Sequence, residues 1–175
     1  VLDKRQTARF EQLILPHLDS AYNLARWLYG NEHDAEDAVQ EASLRAIRFF
    51  SSFRGEDGRA WFLAIVRNTC YTGLRKRRPE GIIMAADDEN DIATGPEVDP
   101  EQALLQRIDA ELLRAAIEQL SVEFRETLIL REMDGLSYKE IAQVTDVPPG
   151  TVMSRLARAR KQLQQLLIDR EETRL

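Results

Sequence analysis

The chain has 175 residues, 43% hydrophobic and 31% charged, the composition of a soluble globular protein long enough for one domain or two small ones. It holds no apolar run near the ~20 residues that span a bilayer and no basic-then-apolar leader before its first helix, which together predict a cytoplasmic protein. A single cysteine, Cys70, excludes an internal disulfide and a cysteine metal cluster, while the net charge of −6 argues against nucleic acid only until it is divided along the chain.

Residues 1–79 carry 13 Lys+Arg against 10 Asp+Glu, residues 80–105 none against 8, and residues 106–175 carry 11 against 12. The acidity is confined to one segment, and cations cluster at Arg75 to Arg78 and at Arg155 to Lys161.

In chain order, Phe10, Leu13, Ile14, Leu18, Ala21, Ala25 and Leu28 recur at helical spacing. They predict a helix over Thr7 to Tyr29 that Pro16 kinks or splits and that Gly30-Asn31 ends. Ala35, Ala38, Val39, Ala42, Ala46, Phe49, Phe50 and Phe53 give a second helix from about Asp34, broken by "FRGEDGR". On its other face Leu44 sits among Asp37, Gln40, Glu41 and Arg48, an apolar residue amid charges that suggests a partner. A third helix, Ala60 to Arg77, carries Trp61, Phe62, Ile65, Val66 and Leu74, with Phe62 and Ile65 expected in the core along with Cys70.

"PEGIIMAADDENDIATGPEVDPE", Pro79 to Glu101, has three prolines, two glycines and no cation, and is expected to be a solvated connector between two domains. After it, Leu105, Ile108, Leu112, Ala116 and Leu120 form one helical stripe. Phe124, Leu128 and Met133 form another that stops at Asp134-Gly135. Ser137 and Glu140 have the spacing of a capping box, so the next helix runs from Tyr138 to about Thr145. A tight turn then leads to Pro148-Pro149, where proline suits the first turn of a last helix. No strand pattern competes anywhere, and the fold class is all-α.

In that last helix Val152, Leu156, Ala159 and Leu163 share the packed side. Thr151, Ser154, Arg155 and Arg158 are left outward, with Arg160 and Lys161 near the edge. Hydroxyls and cations at the start of a helix after a tight turn suit a recognition helix entering a DNA major groove. The plainer alternative is a solvated basic face on an amphipathic helix.

"LSYKEIAQVTDVPPGTVMSRLARARKQL" resembles the promoter-binding helix-turn-helix of sigma-70 family RNA polymerase sigma factors, particularly the extracytoplasmic-function (ECF, group IV) subgroup. "DAEDAVQEASLRAIRFF" and "FRGEDGRAWFLAIVRNTCYTGLRKRR" are similar to that subgroup's region 2. The resemblance implies two small helical domains, region 2 over residues 1–79 and region 4 over residues 106–175, joined by an acidic linker over residues 80–105. It implies core polymerase binding, through the β′ clamp helices, by Asp37, Gln40, Glu41, Leu44, Arg45 and Arg48, and a further contact of the chain with the β flap. It places minus-10 recognition on Arg54, Arg59, Trp61, Asn68, Tyr71, Thr72, Arg75, Lys76, Arg77 and Arg78. Minus-35 recognition falls to Thr151, Ser154, Arg155, Arg158, Arg160 and Lys161. Promoter DNA and an anti-sigma factor are the implied further partners, and no cofactor or metal is expected.

The linker, with Asp87, Asp88, Glu89 and Asp91, is expected by the same resemblance to thread toward the RNA exit path. Two departures from the family pattern stand out. Leu120 is followed by Ser121 in place of proline, and Met153 stands where a cation is common. Two other readings compete. A metal-dependent enzyme has only His33 and Glu36 at i, i+3 in its favour, with no second copy of the motif. A stand-alone helix-turn-helix regulator would need neither the basic-aromatic third helix nor the Leu44 face.

Overall fold

The computed structural model describes residues 1–77 and 100–174, with side chains from residue 109 onward in the second segment. Arg78 and the acidic residues Asp87, Asp88, Glu89 and Asp91 lie outside the described residues, as does most of the segment expected to be a linker. Every regular element among the described residues is helical.

The N-terminal half comprises α1 (Lys4–Leu13), α2 (Leu18–Tyr29), α3 (Glu32–Phe49) and α4 (Gly58–Lys76). Asp3 and Gln6 form a capping box that starts α1. Pro16 splits the first predicted helix as expected, since its ring and missing N–H confine Leu15–His17 to a 3-10 turn. Gly30, at φ 80°, closes α2 in the left-handed conformation, and the Asn31 side chain accepts from the Asp34 amide to open α3 two residues earlier than periodicity predicted. Asp57 caps α4. Directly after it, a Cβ on Gly58 would lie 2.2 Å from the Leu13 carbonyl oxygen, so only glycine lets α4 begin against the end of α1.

The second half comprises α5 (Pro100–Glu118), α6 (Val122–Glu132), α7 (Tyr138–Thr145) and α8 (Pro149–Arg174). Helix α5 starts inside the segment expected to be linker. Ser121 takes over the start of α6, its hydroxyl accepting from the Phe124 amide at 3.4 Å. Helix α7 opens on the expected capping box: the Ser137 amide donates to Glu140 Oε2 at 2.7 Å, and the Glu140 amide donates to Ser137 Oγ at 3.1 Å.

The N-terminal core is built from Phe10, Ile14, Leu24, Leu28, Phe50, Phe62, Leu63 and Val66, closed by the small Ala35, Ala38, Ala42 and Ala46 of α3. Cys70 is fully buried there, and burial pushes its thiol up to about 12. The second core joins Ile117, Leu128, Ile129, Leu136, Ile141 and Val144 to Val152, Leu156 and Ala159 of α8. Three residues placed in apolar stripes by periodicity leave the core, the first of them Leu18, 37% exposed at the start of α2. Phe49 is 54% exposed because α3 passes into a 3-10 turn at Phe50, and Met133 is 50% exposed because α6 has ended.

The halves pack on each other through α2 and α4 of the first against α6 and α7 of the second. Arg125 is the hinge pin of this contact. Its guanidinium donates to the Glu118 carbonyl at 2.7 Å and the Leu120 carbonyl at 3.1 Å, at the end of α5, and reaches across to the Trp27 carbonyl near the end of α2 at 3.1 Å. Helix C-termini present unpaired carbonyls and negative dipole ends, so one buried cation serves two helices at once.

Candidate nucleic-acid and partner interfaces

Helices α7 and α8 meet at a turn whose geometry is set locally. Asp146 ends α7 at φ 55°, one of the few side chains that tolerate the left-handed region, and Pro149 opens α8 where no intrahelical N–H partner is needed. With Val152, Leu156 and Ala159 buried, Ser154, Arg158 and Lys161 face solvent from the first three turns. Thr151 and Arg155 are half-buried at the edge of that face, and Arg155 lies near enough to Glu126 to help keep it ionised. Arg160, expected near the edge, is held back on α6 by Glu132, with Nε 3.0 Å from Oε1. Met153 is exposed beside the same face.

On α4 the side chains Asn68, Thr72 and Arg75 are exposed on one face, with Lys76 beside them. Arg77 is exposed but ion-pairs with Asp34 and lies over the Tyr29 ring at 5.6 Å. The Arg77 guanidinium holds the Asp34 carboxyl below its usual range. Arg54 is exposed in the preceding loop and donates to the Ser51 carbonyl at 2.6 Å.

Trp61 is half-buried, with ring centroids 4.6 Å from Phe53 and 6.0 Å from Phe50. Its ring packs as one wall of the aromatic core and keeps part of its surface exposed. Arg9, unremarked in the sequence, anchors that loop by donating to the Phe53 carbonyl at 3.1 Å and the Gly55 carbonyl at 2.8 Å.

The remaining face of α4 is turned to the second half. Arg59 Nη2 lies 2.8 and 2.9 Å from the two carboxylate oxygens of Glu140. Arg67 forms a two-pronged pair with Glu126, Nε to Oε2 at 2.7 Å and Nη2 to Oε1 at 3.0 Å, and stacks on Tyr71 at 4.1 Å. Glu126 is 0% exposed. Burial pushes its carboxyl up, and the Arg67 guanidinium offsets part of that. The Tyr71 hydroxyl is buried beside this pair, and burial first, then the Glu126 carboxylate, pushes the phenol up. Neither Arg67 nor Glu126 carries a motif in the sequence, because their meaning lies in each other across 59 positions.

On α3, Asp37, Gln40, Glu41, Leu44 and Arg48 are exposed, with Leu44 at 62%, while Arg45 is half-buried and pairs with Glu41 at 2.8 Å. Ile47, about one turn from Leu44, is also exposed and adds apolar surface beside this face. His33 pairs with Asp37 at 3.5 Å. Among the described residues no group of three His, Cys, Asp or Glu side chains is placed to hold a metal, and no helix is long and apolar enough to cross a membrane.

Two family models match the chain, one described as sigma-70 region 2 over residues 13–80 and one as sigma-70, region 4 over residues 110–163. The RNA polymerase sigma-H factor of Pseudomonas aeruginosa is 35% identical over 172 residues, covering 94% of this chain and 88% of that protein. The ECF RNA polymerase sigma factor SigE of Mycolicibacterium smegmatis is 34% identical over 94% of this chain, which spans 64% of that longer protein. The ECF sigma-E factor of Escherichia coli is 37% identical over 73% of this chain and 71% of its own. Among solved structures, the sigma factor RpoE of Bartonella quintana, in complex with the anti-sigma factor NepR, matches with a TM-score of 0.75 and 30% identity. That match covers 90% of this chain and 96% of that one.

Proposed function

The chain belongs to the ECF subgroup of the sigma-70 family, and we propose that it binds core RNA polymerase and directs promoter-specific initiation in the cytoplasm. Sigma factors act by binding, not by catalysis, and the work divides between the two halves. Residues 1–79 serve as region 2, residues 106–175 as region 4, and residues 80–105 connect them.

Region 2 docks on the β′ clamp helices through Asp37, Gln40, Glu41, Leu44 and Arg48, with Ile47 supplying apolar area beside the lone leucine. It reads the minus-10 strand through Asn68, Thr72, Arg75 and Lys76. Region 4, which also meets the β flap, reads the minus-35 duplex through Ser154, Arg158 and Lys161, with Thr151 and Arg155 at the margin. An anti-sigma factor is the regulatory partner, by analogy with the Bartonella protein.

The observation that carries this reading is the coexistence in one chain of an exposed Leu44 face, an exposed Asn68-Thr72-Arg75 face and an exposed recognition-helix face. A free-standing regulator accounts for the third alone, and leaves the region 2 match over residues 13–80 without a role. Run-off transcription with bacterial core polymerase on pooled promoter fragments tests the proposal. Transcripts that appear only with the protein present are expected. Silence together with failure to retain core polymerase in a pull-down would overturn it.

A further inference from the structure

Residues 53–57 join the 3-10 turn Phe50–Ser52 to α4 with little backbone bonding of their own. The Phe53 amide donates back to the Phe50 carbonyl at 3.0 Å, and the Gly58 amide donates to the Glu56 carbonyl at 3.2 Å. Between them the amides of Arg54, Gly55 and Glu56 donate to no acceptor among the described residues, and all three residues are exposed. A loop so sparsely bonded keeps one shape only if side chains hold it.

Arg9 of α1 supplies the hold. Its Nη1 donates to the Phe53 carbonyl at 3.1 Å and its Nη2 to the Gly55 carbonyl at 2.8 Å, so one planar guanidinium fixes the backbone on both sides of Arg54. The same group lies 5.3 Å from the Phe50 ring centroid and 5.4 Å from that of Phe53, within the range of cation–π attraction. Those rings are fixed in turn, Phe50 edge-on to Phe10 at 5.2 Å and Phe53 against Trp61 at 4.6 Å. Gly55 completes the fit, since a Cβ there would lie 2.9 Å from the Phe53 ring. Arg9 has no carboxylate partner among the described residues, so charge pairing does not explain its place.

The two bonds also make the open edge of the loop chemically one-sided. With the Phe53 and Gly55 carbonyls occupied, three successive amide donors and the Arg54 cation remain, close to the partly exposed ring of Trp61. Donors beside an aromatic surface suit a base that has left its stack, because acceptor atoms on its edge meet amides while its π-face meets a ring. We propose that Arg9 is a positioning residue for minus-10 recognition: it holds residues 53–57 in the shape whose amides read one unstacked base, without touching DNA itself. The inference rests on the reading of residues 1–79 as region 2.

The test uses the full chain bound to core polymerase, with single strands of a minus-10 element taken from promoters that run-off transcription selects. Fluorescence anisotropy on single-base variants of that strand gives a discrimination ratio at each position. Wild type should prefer its base at one position by about 10-fold. Arg9→Ala should lose most of that ratio while still retaining core polymerase. Arg9→Lys should behave like Arg9→Ala, because one ammonium keeps the charge but does not bridge two carbonyls. Gly55→Ala crowds the Phe53 ring without touching Arg9, and should lower discrimination at the same position. Circular dichroism establishes which variants keep their helices; if Arg9→Ala does not, Arg9→Lys and Gly55→Ala carry the test.

Full discrimination in helical Arg9→Ala or Arg9→Lys protein would overturn the positioning role. Equal losses on every strand, preferred or scrambled, would overturn it too, since mere destabilisation weakens all of them alike. A wild type that prefers no minus-10 strand would sink the region 2 reading, and the role of Arg9 with it.

Discussion

At the scale of single residues, exposure separates side chains that the sequence places in one group. Arg158 and Lys161 both face solvent from α8, but Arg158 sits one turn nearer the helix start, where side chains reach base edges. Arg158→Ala should therefore cost ~1–3 kcal/mol on the preferred minus-35 duplex and relax preference at one position. Lys161→Ala should weaken all duplexes alike and reduce the salt slope by about 1. Fluorescence anisotropy on a set of single-base variants distinguishes the two, and equal losses on every duplex would refute the division. Arg160 belongs to neither class while Glu132 holds it, so Glu132→Gln should strengthen duplex binding by releasing a phosphate-seeking cation, measured in the same assay.

At the scale of elements, what was legible in the sequence is what is decided locally. The Ser137-Glu140 capping box, the Pro16 break and the proline at the start of α8 all depend on neighbours within four residues, and all appear as expected. Helix ends were legible less well, since an apolar stripe does not say where its last member leaves the core: Phe49 and Met133 fall beyond that point.

The early start of α5 at Pro100 was hidden because its first residues share the composition of the acidic segment before it. Pairings such as Arg67 with Glu126 and Arg160 with Glu132 were not legible at all, because only the packing of distant helices brings them together. Among the caps, that of α7 carries the clearest consequence. Ser137→Ala should cost about 1 kcal/mol of stability, seen as a lowered thermal midpoint.

At the scale of the molecule, one guanidinium ties both halves together. Arg125→Ala leaves the carbonyls of Trp27, Glu118 and Leu120 without their charged donor, and should destabilise the chain by about 2–3 kcal/mol in urea melts. Lysine at this position should restore little, because a single ammonium cannot span two helix ends as a planar fork does. The buried thiol adds a way of timing these motions. Cys70 is fully buried in a hydrophobic cluster that includes residues of both halves, so a maleimide or disulfide reagent can reach it only when the packing around α4 opens. Alkylation kinetics would thus time the opening of the packing around α4. A chain that expands in solution while its thiol stays protected has kept the packing around α4 intact.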